Sequence, residues 1–204
     1  MAKSVSRKAR RFATVFDLEF TAWEGSQERR WSLPGERKEV VQIGAVKLDA
    51  ESLRVVDSFD MLVQPRLNPV LSEYLIALTG ITNQELAERG VDFVTAYRAF
   101  LEFVGDDVIF AFGRDDLVFI ENIKIYGWQR ELILPPYRNV IPWFAEHGVD
   151  LAGKHACDVA EAAGAEFEGQ RHNALADAAG VARGMIAMVA RGIQNPFVAE
   201  PVSE

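Results

Sequence analysis

Cysteine is nearly absent from this chain: Cys157 is the only one among 204 residues. An internal disulfide is therefore impossible, and a zinc site built from several thiolates is excluded. Long apolar runs are missing too, since no stretch approaches the roughly 20 apolar residues that a membrane span requires. The basic start, MAKSVSRKARR, lacks the apolar core of a signal peptide. We therefore expect a cytoplasmic protein that does not bind a membrane.

The chain has few basic residues: it contains 22 Lys and Arg and 30 Asp and Glu, which gives a formal net charge of −8. This balance disfavours a protein that coats nucleic acid through a broad basic surface. It remains compatible with an enzyme that gathers acidic groups in one cleft and offsets them with bound cations.

The length and the 49% hydrophobic content suit one packed domain. We place this domain at 11–191, between a basic tail at 1–10 and a C-terminal tail at 192–204. Both tails are expected to be poorly ordered.

The hydrophobic pattern predicts strands early in the chain and an alternation of strands and helices later. Runs rich in Val, Ile and Phe predict strands at 12–19, 40–48, 53–63 and 108–112, with a shorter one at 139–141. Helical spacing predicts helices at 71–78, 83–89, 92–104, 115–129, 142–147, 154–163 and from about 172 to 190. This order is typical of an α/β protein in which helices cover both faces of a mixed sheet.

Two acidic residues interrupt the first predicted strand. In the stretch TVFDLEFT, Asp17 and Glu19 point to one face of the strand, and the neighbouring apolar residues point to the other. Carboxylates this close repel each other unless a divalent cation lies between them. A solvent-facing strand edge explains the pair equally well, so more carboxylates are needed to identify a metal site.

A second acidic pair follows the strand at 108–112, in the stretch AFGRDDLVFI. Either Asp115 or Asp116 can cap the helix that begins there. A cap explains one of them and not both, and the carboxyl end of a central strand is where α/β sheets usually place their sites. One of the two is therefore a candidate ligand.

A histidine and an aspartate stand at the start of the last predicted helix, in RHNALADA. His172 and Asp177 are five residues apart, which corresponds to about 140° around an ideal helix. They converge only if His172 lies on the entering loop or in the first turn. Considered separately, a capping histidine and a solvated aspartate are the simpler interpretations.

Taken together, these motifs resemble those of the DEDDh branch of the DEDD 3′–5′ exonucleases. The order is D-x-E, then G-x-x-D after a strand, then H-x-x-x-x-D at the last helix, and the resemblance extends from about Phe12 to Ala190. VVQIGAVKL resembles the family's second strand, and LTGIT its helix-ending motif. LTGIT, the G-x-x-D motif and the polar insertion at 24–39 are most similar to the group of histone-mRNA 3′-exonucleases and enhancer-of-RNAi proteins. The resemblance implies an RNase H-like fold with a mixed five-stranded sheet.

The resemblance also implies a two-metal hydrolysis at single-stranded 3′ ends of RNA or DNA, with RNA favoured. Two Mg²⁺ or Mn²⁺ ions are implied, and Asp17 would bridge them. The implied metal ligands are Asp17, Glu19, Asp116 and Asp177. Asp116 is preferred to Asp115 by the G-x-x-D spacing alone. His172 is implied as the general base, and Glu19 as a catalytic residue through the ion that activates water.

By the same resemblance, the terminal nucleotide contacts Phe20, Thr21 and Leu78, and Thr21 or the backbone near Glu19 reads the 2′-hydroxyl. Phe20 stands where smaller residues are frequent in the family, although this departure removes no ligand. The side chains that could stack on or pair with a nucleic acid strand are Trp23, Trp31, Arg29 and Arg30. A solvated insertion with incidental charges is the simpler interpretation.

Two other classes of function stay open. A non-catalytic binding protein with the same fold would be expected to lack a ligand, and none is missing. A polymerase proofreading subunit would perform the same chemistry on DNA, and the tail at 192–204 only weakly resembles a partner-binding segment. We interpret His155, Cys157 and Asp158 as an incidental cluster, since a zinc site needs further ligands.

Overall fold

A mixed five-stranded sheet forms the centre of the computed structural model, which describes residues 11–198. The strand order is β3-β2-β1-β4-β5; β1 pairs antiparallel with β2 and parallel with β4. The strands are β1 (Phe12–Phe20), β2 (Val40–Asp49), β3 (Val55–Leu62), β4 (Val108–Ala111) and β5 (Tyr137–Asn139). The predicted mixed sheet is confirmed. The tail predicted at 1–10 lies outside the described residues.

Helices follow the strands in the order that the sequence predicts. Those within residues 11–198 are α1 (Glu73–Thr79), α2 (Asn83–Arg89), α3 (Phe93–Val104), α4 (Asp115–Ile125), α5 (Val140–Glu146), α6 (Val159–Ala162) and α7 (Ala174–Ala190). In this part of the chain no helix has the length and apolar character needed to cross a membrane.

The structure places two short elements differently from the prediction. The helix predicted at 154–163 is a 3₁₀ turn, Ala156–Asp158, followed by the single turn of α6. The strand predicted at 139–141 ends at Asn139, because the side chain of Asn139 accepts a hydrogen bond from the Ile141 N–H at 3.0 Å and caps α5.

Alternate side chains of β1 build two separate cores. Ala13 and Val15 pack with apolar residues of α5, α6 and α7. Phe16 and Leu18 pack with residues of α3 and α4, where Phe16 stacks on Phe119 with ring centroids 5.3 Å apart. Helices therefore cover both faces of the sheet, as predicted, and the two-residue period directs the acidic residues of β1 towards α7.

Helix α7 lies against the backbone of the sheet at Gly44, which is the register partner of Asp17. A Cβ atom at Gly44 would lie 2.0 Å from the backbone nitrogen of Leu175, so a side chain cannot be accommodated there. The Ala174 N–H donates a hydrogen bond of 3.0 Å to the Gln42 side chain of β2. The first turn of α7 is thereby fixed opposite the acidic end of β1.

The chain beyond α7 packs back onto the sheet, which corrects the domain end predicted at 191. Phe197 is 5% exposed, and its ring meets the edge of Phe110 at a centroid distance of 5.2 Å. The Asn195 side chain donates a hydrogen bond of 2.8 Å to the Ala50 carbonyl. An isolated aromatic residue after a helix carries no periodic pattern, and its burial extends the domain to Val198.

Replacing Phe197 with alanine should lower the free energy of unfolding by about 3 kcal/mol, because the buried ring is lost and a cavity remains. For a domain of this size we expect Tm to fall by roughly 6–12 °C, measured by circular dichroism. Val198→Ala is the matched control, because Val198 is 48% exposed; it should change stability by less than about 0.5 kcal/mol. Equal Tm values for the two variants would contradict this packing.

Candidate active site

A cavity of about 460 Å³ opens where β1 ends, between the first turns of α4 and α7. Five side chains from the three sequence motifs are among its lining residues. Strand β1 supplies Asp17 and Glu19, and the N terminus of α4 supplies Asp115. Helix α7 supplies Asp177, and the loop before it supplies His172. Three motifs that lie far apart in the sequence therefore meet at one place.

Three of these carboxylates form a compact cluster. Asp17, Glu19 and Asp177 each offer an oxygen within 4.8 Å of the others. The three residues are only 7%, 8% and 2% exposed, which excludes the solvent-facing edge that the sequence left open. The Oδ1 atom of Asp177 is buried and has no hydrogen-bond partner in the part of the chain that the structure describes.

Burial and mutual repulsion raise the pKa values of these groups. Burial, followed by the negative charges of Asp177 and Asp115, raises the pKa of Glu19 to about 8. The pKa of Asp17 lies well above its ordinary value, first through burial and then through Asp115, Glu19 and Asp177. Burial is the main reason why the pKa values of Asp115 and Asp177 rise to about 7.

These shifts mean that the ionised site requires a compensating positive charge. The available donors are carboxylate oxygens, and two of them, Asp177 Oδ1 and Asp115 Oδ2, are buried without a hydrogen-bond partner in the described part of the chain. Oxygen donors of this kind suit Mg²⁺ or Mn²⁺. The residues present therefore fit a divalent metal site.

The structure corrects the assignment of Asp116 as a metal ligand. Asp115 is half-buried and lines the cavity. Asp116 instead accepts two hydrogen bonds of 2.8 Å from the Arg114 guanidinium and is absent from the cavity wall. Consecutive residues on a helix point about 100° apart, so an error of one position moves the carboxylate away from the site. The spacing in this chain is G-x-D.

His172 lies on the loop before α7, as convergence with Asp177 requires. Its φ of 58° is unusual for a residue other than glycine, and Asn173 caps the helix behind it by accepting a hydrogen bond of 3.1 Å from Ala176. A ring nitrogen of His172 lies within 4.8 Å of a carboxylate oxygen of Asp177. Burial and then the neighbouring His155 lower the pKa of His172 below its ordinary value. The imidazole is therefore neutral at neutral pH.

His155 is a cavity residue that sequence reasoning missed. Its ring centroid lies 5.6 Å from that of His172, and both rings line the cavity. No motif in the sequence signals this position, because the 3₁₀ turn that follows His155 brings it to the site through tertiary packing alone.

Two of the three predicted substrate contacts line the cavity, and the third does not. Phe20 and Leu78 are half-buried in its wall. A register shift between Glu19 and Phe20 marks the strand end, where strict alternation no longer applies. Thr21 is 2% exposed, and its hydroxyl donates to the Arg37 carbonyl and accepts from the Glu39 N–H at 3.0 Å. The structure thus corrects the prediction for Thr21, whose hydroxyl stabilises the insertion.

Stability without metal should fall as the pH rises from about 5 to 8. Carboxyl groups with raised pKa values in the folded state keep protons that the unfolded chain releases, so their stabilising effect is lost as pH passes through about 7 to 8. We expect Glu19→Gln to weaken this fall in Tm, measured in EDTA, and the exposed control Glu51→Gln to preserve it. A Tm with the same pH dependence in all three proteins would contradict the repulsion described here.

Comparison with known proteins identifies the sequence family. The profile of the exonuclease family RNase_T matches residues 14–183. The 3′-5′ exoribonuclease 1 of Rattus norvegicus is 32% identical over 94 residues, which are 46% of this chain and 25% of that protein. The ERI1 exoribonuclease 2 of Homo sapiens is 26% identical over 118 residues, covering 55% of this chain and 16% of that protein. The chain thus spans a quarter or less of these relatives.

Solved structures share the fold. The nuclease domain of 3′hExo, described as a DEDDh family member bound to rAMP, superposes with a TM-score of 0.76 at 20% identity, covering 94% of this chain and 98% of that one. The zinc-bound E. coli ExoI–ssDNA complex gives a TM-score of 0.64 at 17% identity, covering 89% and 41%. At these identities the likeness concerns the fold alone. Because the family match extends from the first strand into the last helix, the chain belongs to the exonuclease family RNase_T.

Proposed function

We propose that this protein is a metal-dependent 3′–5′ exonuclease that releases nucleoside monophosphates from single-stranded 3′ ends, with RNA favoured over DNA. The observation that carries the proposal is the convergence of four carboxylates and a neutral histidine on one cavity. The repulsion among the carboxylates explains the need for divalent cations, and the histidine supplies a base. Mg²⁺ and Mn²⁺ are the ions we propose, because the donors are oxygens.

Asp17 is the residue best placed to be shared by two ions. Its pKa is raised by the charges of Asp115, Glu19 and Asp177 alike, so it lies among the other three carboxylates. Glu19 and Asp177 would hold one ion together with Asp17, and Asp115 would hold the other. Two bound ions supply an activated water and stabilise the leaving 3′ oxygen.

His172 is proposed to accept the proton of the attacking water. Its lowered pKa leaves a lone pair on the imidazole at neutral pH, which a general base requires. The backbone of His172 also hydrogen-bonds the Asp177 side chain. The position of the base is thereby tied to the position of a proposed metal ligand.

The apolar wall of the cavity is proposed to hold the terminal nucleotide. Leu75 and Leu78 of α1 and Phe20 at the end of β1 line this wall, and Tyr74 beside them is 41% exposed. Such side chains suit the face of a base. With the Thr21 hydroxyl occupied, the backbone near Glu19 remains the proposed reader of the 2′-hydroxyl. The exoribonuclease names of the curated relatives support RNA as the preferred polymer.

The direct test is incubation of the purified protein with single strands of RNA and DNA, labelled at the 3′ or 5′ end, in Mg²⁺, Mn²⁺ or EDTA. We expect mononucleotides from the 3′ end, a ladder of shortened 5′-labelled strands, faster digestion of RNA, and no reaction in EDTA. Faster digestion of DNA would favour a proofreading or repair enzyme. Internal fragments before mononucleotides would exclude an exonuclease, and no hydrolysis of either polymer would favour a binding protein.

Asp115→Asn should lower kcat by more than roughly 100-fold, the upper range for residues that only orient metal ligands. Asp116→Asn is the matched control on the adjacent residue. It removes an ion pair with Arg114, whose side chain is 58% exposed, and should change kcat by no more than a few-fold. Single-turnover kinetics at saturating Mg²⁺ checks both variants. Loss of activity in Asp116→Asn alone would restore the G-x-x-D assignment.

His172→Ala should lower kcat by roughly 10²–10⁴-fold with little change in KM, because a general base is lost and the binding wall is kept. Wild-type activity should rise with pH through the lowered pKa of His172, and this acidic limb should vanish in the variant. His155→Ala should move the limb to higher pH, since the repulsion from His155 is removed. A higher KM with unchanged kcat in His172→Ala would make His172 a binding residue.

A further inference from the structure

We infer that the insertion between β1 and β2 forms a second nucleotide-binding groove, which holds the strand upstream of the terminal nucleotide. This inference rests on the proposed exonuclease function. The groove has a volume of about 370 Å³ and is bounded by the insertion on one side and by α4 on the other. Its lining, which we call the insertion groove, consists of Arg30, Trp31, Glu36, Arg37, Lys38, Leu117, Val118 and Glu121.

The insertion groove adjoins the active-site cavity, and the two share Trp31 in their linings. The ring of Trp31 contacts Phe20 of the cavity wall at a centroid distance of 5.6 Å. Helix α4 contributes Asp115 to the cavity and Leu117 to the groove. The Lys38 ammonium lies 4.2 Å from the centroid of the Trp31 ring. A strand that leaves the carboxylates along α4 therefore passes Trp31 and enters the groove.

The charge of the groove is positive in a chain with a net charge of −8. Arg30 and Arg37 are exposed and Lys38 is half-buried, and none of them forms an ion pair with a carboxylate within residues 11–198. The acidic Glu36 is 6% exposed and already neutralised by Arg29, whose Nε donates to both of its oxygens at 3.0 and 3.1 Å. Glu121 is the other acidic residue of the lining, so Arg30, Arg37 and Lys38 leave the groove with a net positive charge that suits phosphates.

The groove also offers apolar surface for bases. Leu117 is 48% exposed on the α4 side, and Trp31 faces it from the insertion side of the lining. A lining that combines cationic groups with apolar and aromatic ones suits the phosphates and bases of a single strand. An acidic peptide would pair with the cationic side chains and leave the apolar surface of Leu117 and Trp31 uncovered. A nucleic acid strand is therefore the better occupant.

The insertion has a defined conformation that hydrogen bonds maintain, so it differs from a solvated loop with incidental charges. Arg30 and Trp31 adopt φ values of 55° and 53°, which are costly for residues other than glycine. Backbone hydrogen bonds hold them there, from the Trp31 N–H to the Ser26 carbonyl at 2.9 Å and from Arg30 to Gln27 at 3.1 Å. The Trp31 indole N–H donates to the Thr21 carbonyl at 2.9 Å. These contacts fix the groove beside the cavity.

The test compares a ten-nucleotide strand with a dinucleotide, which is too short to reach the groove fully. The variant Arg30→Ala/Arg37→Ala should lower the ratio of kcat/KM for the decamer to kcat/KM for the dinucleotide by roughly tenfold, because two phosphate contacts are lost. The matched control is Arg54→Ala/Arg130→Ala, which removes two exposed arginines outside the groove and should leave this ratio unchanged.

Binding of a fluorescent decamer in EDTA, followed by anisotropy, tests the groove without hydrolysis. The slope of log K against log salt concentration should become shallower by about 1.4 for the groove variant, from about 0.7 for each phosphate contact on a single strand. Leu117→Glu should also weaken decamer binding, because it places a negative charge in the apolar part of the groove, where it repels phosphates. Val56→Glu, at a 51% exposed position on β3, is its control and should bind as the wild type does.

If the groove variants have the same salt slopes and the same decamer-to-dinucleotide ratios of kcat/KM as the controls, the proposed role of the groove is wrong and the proposed activity is unaffected. Arginine-dependent binding of the decamer by a protein that hydrolyses neither substrate would overturn the activity and support the groove. Tm is measured for every variant. A decamer defect seen only in variants with a lowered Tm would count against the groove, since a loss of folding would then explain it.

Discussion

Repulsion among the carboxylates at the end of β1 is the interaction around which this structure is arranged. Asp17, Glu19 and Asp177 are almost fully buried; after burial itself, Glu19 and Asp177 help to raise the pKa of Asp17, and Asp177 helps to raise that of Glu19. Such a cluster costs stability, which the two apolar cores on either side of the sheet must offset. These buried acidic groups line an open cavity, where a cation can reach them.

Burial alone does not make an acidic residue a ligand, as Glu39 demonstrates. This residue is 0% exposed, yet its carboxylate accepts hydrogen bonds from the backbone N–H groups of Arg66, Leu67 and Asn68 at 2.7–2.8 Å. Its charge is thus satisfied by the protein itself. Within residues 11–198, the buried carboxylate oxygens without a hydrogen-bond partner belong instead to Asp115 and Asp177. A buried oxygen without a partner, rather than burial itself, distinguishes Asp115 and Asp177 from Glu39.

Much of the fold could be predicted because it depends on local periodicity, and the motifs that resemble those of the DEDDh exonucleases brought Asp17, Glu19, His172 and Asp177 together. The two-residue period of β1 places Asp17 and Glu19 on one face, and the geometry of a helix requires His172 to precede α7. The choice between Asp115 and Asp116 depends on the residue at which α4 begins and on the ion pair with Arg114, and sequence pattern fixes neither. The burial of Phe197 likewise arises from contacts between distant segments, which periodicity does not encode.

Because of the close approach at Gly44, the backbone alone sets the distance between β1 and the start of α7. Because Gly44 pairs with Asp17 and touches the start of α7 without any side chain between them, no rotamer change can widen or narrow the distance from β1 to Asp177. Only a movement of the whole helix could do so, and the Gln42 contact opposes it. If the site holds a cation as proposed, Glu19 is the carboxylate whose longer side chain can adjust to the radius of the ion. The backbone fixes the spacing of the site, and the Glu19 side chain supplies its conformational freedom.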